Sequence, residues 1–207
     1  MSLVTATVWC RPMTSNMPLS YRLSASAIAL GLLLISGVAN SADAFVLTST
    51  TFKDGAMMPP RISNKPPPNP NCVGDNVSPQ LSWKNAPADT KSYAFTLVDP
   101  EGYGGMGVVH WVAYGIPVSV TSFKEGELSK LSTKYVGGKS TQGVGYYSGP
   151  CTPPGTPHHY VFRVIATDLD PKALPPGLTL DELQSSIAGH TKGAAALVGL
   201  FAKPLPN

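Results

Sequence analysis

Four histidines occur in the 207 residues, and three of them fall in or beside runs dense in β-branched and aromatic residues. His110 interrupts VVHWVAYGI, Val108 to Ile116, while His158 and His159 open HHYVFRVIAT. Side chains alternate along a strand, so His158 and Tyr160 project from one face and His159 from the other. Asp99 closes a third such run and is followed by Pro100 and Glu101. A carboxylate at a strand end reaches an imidazole when the two strands are neighbours. Asp99, Glu101, His110, His158 and Tyr160 are therefore a candidate polar cluster at one end of a β domain, beside the backbone of the Gly149 to Gly155 loop. Imidazole, phenol and loop N–H or O–H groups can bind a phosphate monoester or diester without Arg, and the carboxylates can accept hydrogen bonds from an ammonium group. A single strand histidine more often satisfies a buried partner, so function requires these groups to converge.

The elements that would position them follow from pattern. Ser92 to Val98 carries Tyr93, Phe95 and Leu97 on one side and Ala94, Thr96 and Val98 on the other, as in a central strand buried on both faces. Val108 to Ile116 and His159 to Thr167 share that length and density. Phe45 to Lys53 alternates Ser/Thr with apolar residues and reads as a first strand closed by the turn Asp54-Gly55. A short strand is expected near Thr133 to Val136, inside a loop-rich stretch from Pro117 to Pro157, and Ala194 to Phe201 reads as a last strand. Residues 64–71, NKPPPNPN, cannot join a ladder because proline lacks the donor. Thr179 to Glu182 is a capping box, with Leu183 and Ile187 at helical spacing and Gly189 as a stop.

Composition agrees. Charged residues make up 13% of the chain, against about 25% in ordinary globular proteins, and 20 Gly and 21 Pro punctuate it. That excludes coiled coils, helical bundles and disordered chains, and favours short strands joined by turns. The net charge is +3 without a basic cluster, which gives no support to nucleic-acid binding.

Residues 23–38, LSASAIALGLLLISGV, follow Arg22 and precede Ala42-Asp43-Ala44, the layout of a secretory signal peptide with an Ala-x-Ala-like cleavage site. The run is short for a membrane span, which needs about 20 apolar residues. Residues 1–44 are thus expected to be a signal peptide, starting at Met1 or Met17, and 45–207 a single exported domain, periplasmic or secreted. Without the leader, Cys72 and Cys151 form an even pair in an oxidising compartment, either a disulfide or two buried thiols.

No P-loop, dinucleotide fingerprint or Gly-x-Ser-x-Gly elbow is present, so no cofactor is expected. An Asp/His acid-base pair for hydrolysis and a metal site on Asp99, Glu101, His110 and His158 are alternatives to simple binding. The spacings match no zinc signature.

The stretches CVGDNVSPQLSW (Cys72 to Trp83), VDPEG (Val98 to Gly102), VHW (Val109 to Trp111) and GPCTPPGTPHHY (Gly149 to Tyr160) occur in the order found in phosphatidylethanolamine-binding proteins. The set resembles their bacterial Raf-kinase-inhibitor-like branch and spans nearly all of residues 45–207. The resemblance implies a mainly β fold of two antiparallel sheets, a large central one and a smaller one in a Greek-key-like arrangement, with short helical structure near the C-terminus. It also implies a small anion pocket made by Asp99, His110, His158 and Tyr160, with Glu101 and Gly149-Pro150 on its rim. The expected function is a binding protein for a small anionic or zwitterionic ligand, such as phosphate or a phosphoethanolamine-like headgroup, not an enzyme; a homodimer stays open. Two departures bear on ligand preference: Glu101 stands where Asp is usual, and His159 where Arg is frequent.

Overall fold

The computed structural model describes residues 43–65 and 69–205; the expected signal segment lies outside them, apart from Asp43 and Ala44. Nine strands appear among these residues: β1 Val46–Thr48, β2 Ala56–Met57, β3 Leu81–Lys84, β4 Ser92–Asp99, β5 Val108–Pro117, β6 Ser122–Phe123, β7 Val136–Gly137, β8 His158–Thr167 and β9 Thr191–Phe201. Six form a sheet in the order β2-β9-β8-β4-β5-β7, and three form a second in the order β1-β3-β6. Pairing is antiparallel except where the two-residue β2 runs parallel to β9.

The expected central strand is central. β4 lies between β5 and β8, and both of its faces are covered. Tyr93, Phe95 and Leu97 join Trp83, Trp111, Phe123, Phe162 and Val164 in the core between the two sheets. Ala94 joins Val112, Tyr114, Leu183 and Ile187 under the helix Leu180–Ile187, which opens with the expected capping box at Thr179 and Glu182. Burying each large side chain stabilises the fold by about 1.5–3 kcal/mol, so this double-faced packing holds the sheet that carries the polar cluster.

Two expected strands are shorter than their sequences suggest. The first ends at Thr48 rather than Lys53. Beyond it Ser49 Oγ donates to the Gln80 carbonyl, and the Gln80 side chain accepts from Thr50 N, so side chains replace the ladder. Near residue 133 the strand is Val136–Gly137, because Lys134 N donates to Ser132 Oγ in a local turn. The strand Leu81–Lys84, not anticipated from alternation, seats Trp83 in the core. Among the described residues no helix is long and apolar enough to cross a membrane.

Candidate functional site

Asp99, Tyr160 and His158 come together because β4 and β8 run antiparallel, with Val98 opposite Val161. The end of β4 therefore meets the start of β8. His110 arrives by a different device. Leu97 pairs with Trp111 but Val98 pairs with Val109, so His110 is an extra residue inserted into β5. Val109 packs on the helix side of the sheet and Trp111 in the inter-sheet core, although strict alternation would place them on one face. The bulge turns His110 to the Tyr160 side, where the two rings meet edge to face at 5.1 Å.

Asp99 is 3% exposed and organises the cluster. Its Oδ1 accepts from the backbone N–H groups of Glu101 and Gly102, both at 3.0 Å, and its Oδ2 accepts from His158 Nδ1 at 2.8 Å. Nε2 of His158 is thereby left for a ligand. His110 Nδ1 donates to the Ser148 carbonyl at 2.8 Å, so its Nε2 is also uncommitted. Burial pushes the His110 pKa below its ordinary value, although the Ser148 carbonyl and the Asp99 charge oppose that shift. Burial, reinforced by Asp99, holds the Tyr160 phenol well above its ordinary range, so it stays a neutral O–H paired with Thr152 Oγ1.

Glu101 faces elsewhere. Its carboxylate accepts from His159 Nδ1 at 2.7 Å and from His159 N at 3.1 Å, on the exposed side of the strand. Desolvation works against its ionisation, yet these bonds hold the carboxyl below its usual range. The residue that replaces the frequent Arg thus engages the longer acid, and Glu101 is not among the residues lining the cavity.

The opposite wall is loop. A Cβ on Gly149 would stand 2.1 Å from the Ile62 carbonyl oxygen, so only glycine lets these backbones approach. Gly149 N donates to Asn76 Oδ1, while the Pro150 carbonyl accepts from Ser63 Oγ at 2.7 Å and Asn64 N at 3.0 Å. Pro150 thus braces the wall while Gly149 lines it. Cys72 and Cys151 are joined as a disulfide, with Cα atoms 4.4 Å apart, and both line the cavity.

The cleft has a volume of about 510 Å³ and is open to solvent. Asp99, His110, His158 and Tyr160 all line it. Sequence reasoning missed Lys65, Asn69, Asn71, Tyr103, Gln142 and Thr152, which also line it. All sit on loops except Tyr103, which lies in the single helical turn Gly102–Gly105, and in neither setting does a periodicity mark a facing direction. Among the described residues no three His, Cys, Asp or Glu side chains are grouped as metal ligands would be.

One wall signal was readable: a tyrosine set in the glycine-rich run Gly102 to Gly107. Tyr103 has φ 50°, and Gly104, Gly105 and Gly107 also have positive φ. A left-handed non-glycine residue is strained by about 1–2 kcal/mol, and Tyr103 is 67% exposed, so packing returns little. Tyr103→Gly is expected to raise the denaturant midpoint, by roughly 0.5–1 kcal/mol of stability, because relief of strain outweighs added chain entropy. A lower midpoint would show that the ring is held by packing.

Residues 48–202 match the family described as phosphatidylethanolamine-binding protein. A UPF0098 protein of Methanothermobacter thermautotrophicus is 34% identical over 159 residues, which cover 75% of this chain and 97% of that one. LppC of Mycobacterium tuberculosis, a candidate lipoprotein by name, is 34% identical over 164 residues, covering 79% of this chain and 75% of its own. The crystal structure of Escherichia coli YbcL, described as a member of the mammalian PEBP family, superposes with a TM-score of 0.68 at 27% identity, covering 76% of this chain and 98% of that chain. With the two-sheet fold and the ordered Asp99, His110 and His158 motifs already placed, the chain belongs to the phosphatidylethanolamine-binding protein family.

Proposed function

We propose that this is an exported binding protein that holds a small phosphate-containing or phospholipid-headgroup-like ligand in the cleft at the end of the large sheet. The observation that carries the reading is the pair of imidazoles, His110 and His158, each anchored through Nδ1 and each leaving Nε2 uncommitted on one cavity wall. In its imidazolium form His158 presents Nε2–H to an anion, with Asp99 as the balancing charge. Neutral His110 presents a lone pair, which takes the proton of a phosphate monoanion or takes up a proton as a dianion arrives. Export is supported by the signal-like residues 23–44, by the disulfide and by the name of LppC.

The test is phosphate titration followed by the ring C–H resonances of His110 and His158. Shifts at both are expected; no shift at either ends the proposal. Because burial lowers the His110 pKa, the ring is neutral at pH 7 and a bound anion raises its proton affinity. Phosphate binding near pH 7 is accordingly expected to take up a fraction of one proton and to tighten as pH falls towards 6. Calorimetry in buffers of different ionisation enthalpy measures that uptake, and a value of zero would place His110 outside the contact.

Catalysis is favoured by one observation, the 2.8 Å contact of Asp99 with His158, which is how a general base is oriented. Yet Cys151 is held in the disulfide and the Thr152 hydroxyl is paired with Tyr160, which removes the nearest nucleophiles. Ester and phosphoester turnover lost in His158→Ala would establish the hydrolase instead.

A further inference from the structure

We propose that the bound group is a phosphate ester of a neutral polyhydroxyl compound, such as a glycerol, inositol or sugar, and that the outer part of the cleft recognises its hydroxyls. This rests on the phosphate-binding reading of the same cleft and narrows it.

Two observations carry the inference. The first concerns charge. A tetrahedral oxyanion beside His110 and His158 fills a small part of about 510 Å³, so the remainder must suit whatever the phosphate is attached to. The strongest partner for an ammonium group there would be a carboxylate. Among the described residues lining the cleft Asp99 is the one carboxylate, and two backbone N–H groups and His158 already occupy three of its roughly four acceptor sites. Glu101 is turned to His159. The charged side chain on the outer wall is Lys65, which repels an ammonium and attracts the phosphate.

The second concerns the neutral groups. Asn69, Asn71 and Gln142 place carboxamides on the outer wall. Asn69 Oδ1 accepts from Asn71 N at 2.9 Å, which orients that amide and leaves its N–H donors directed outward from this bond. The Asn71 and Gln142 side chains make no hydrogen bond to other described residues. A carboxamide offers a donor and an acceptor side by side, the complement of neighbouring hydroxyls, each of which both donates and accepts. Tyr103 adds an aromatic ring to the lining of the cleft, 67% exposed and set by a left-handed backbone. Such a ring suits the C–H face of a polyol, and strain retained at a cavity wall points to a role for the residue that bears it.

The experiment measures affinities of the intact protein for inorganic phosphate, phosphoethanolamine, phosphocholine, glycerol 3-phosphate and glucose 6-phosphate. One of the two polyol phosphates is expected to bind at least about tenfold tighter than both inorganic phosphate and phosphoethanolamine. In Tyr103→Ala and in the double variant Asn71→Ala/Gln142→Ala the ratio of that affinity to the phosphate affinity is expected to fall towards one. Displacement of the soluble ester by phosphatidylcholine vesicles doped with phosphatidylglycerol or phosphatidylinositol would assign the chemistry to a lipid headgroup; failure to displace would assign it to a soluble ester. Phosphoethanolamine or phosphocholine binding as tightly as the polyol esters would overturn the inference and leave the phosphate site standing. If none of the five ligands binds, the phosphate-binding reading itself has failed, and this one with it.

Discussion

Asp99→Ala is expected to lower the unfolding free energy by about 3 kcal/mol and to weaken phosphate binding at least about tenfold. The stability loss follows from what the carboxylate holds. Removing it strands the Gly102 N–H, which is buried, together with the Glu101 N–H and His158 Nδ1. A buried donor left without a partner costs its full desolvation, and three share one acceptor here. Asp99→Asn separates the contributions. Its Oδ1 still accepts the two backbone bonds, so roughly 1–2 kcal/mol should be lost, while its amide forces His158 to expose a lone pair at Nδ1 and carry its proton on Nε2. Two electrostatic effects on the ligand compete. The Asp99 charge repels an anion directly, but it also fixes the imidazole proposed to contact the anion through Nε2. At hydrogen-bond distance the second effect wins, so both variants should bind more weakly. Denaturant unfolding and phosphate titration of the two proteins check this, and tighter binding by Asp99→Asn would show that repulsion dominates.

Replacing Cys72 and Cys151 by Ser is expected to cost about 4 kcal/mol, because the bond closes a loop with a sequence separation of 79 residues and so restricts the unfolded chain strongly. The functional effect arises in the folded state. The disulfide ties the Asn69 to Val73 loop to the Gly149 to Pro153 loop, and together they make one wall of the cleft. The Gly149 end is also held by Asn76 and the Pro150 carbonyl by Ser63 and Asn64, so that half should persist after reduction. The Asn69 to Cys72 half has fewer ties. Reduction is therefore expected to loosen ligands that reach the outer wall more than inorganic phosphate itself. Urea unfolding with and without a dithiol reductant measures the first effect, and the ratio of ester to phosphate affinity measures the second. A stability loss under about 1 kcal/mol would mean that the hydrogen-bonded loops, not the cross-link, set the wall.

Much of the fold was legible because burial leaves a period. The double-sided apolar run from Ser92 to Val98 became the central strand, and the capping box at Thr179 opened the helix that covers one sheet face. The short strands were less legible. Leu81–Lys84 alternates over only four residues and Ser122–Phe123 is too brief to show a period, and after Thr48 the hydroxyl side chains competed with the ladder. The same division runs through the site. His158 and Tyr160 share a face by simple period two, and the motif order placed Asp99 and His110 with them.

From the sequence alone came the family, the core strands and the identity of the polar groups at the sheet end, because side-chain alternation and ordered motifs are written along the chain. Tertiary structure decided the facing of each group. The bulge at His110 overrides the strand period, Glu101 turns away to His159, and loop segments 69–72 and 149–153, distant in sequence, close the cleft. The reason is that a bulge and a loop wall exist only through pairing with other segments, and a one-dimensional pattern carries no record of its partner.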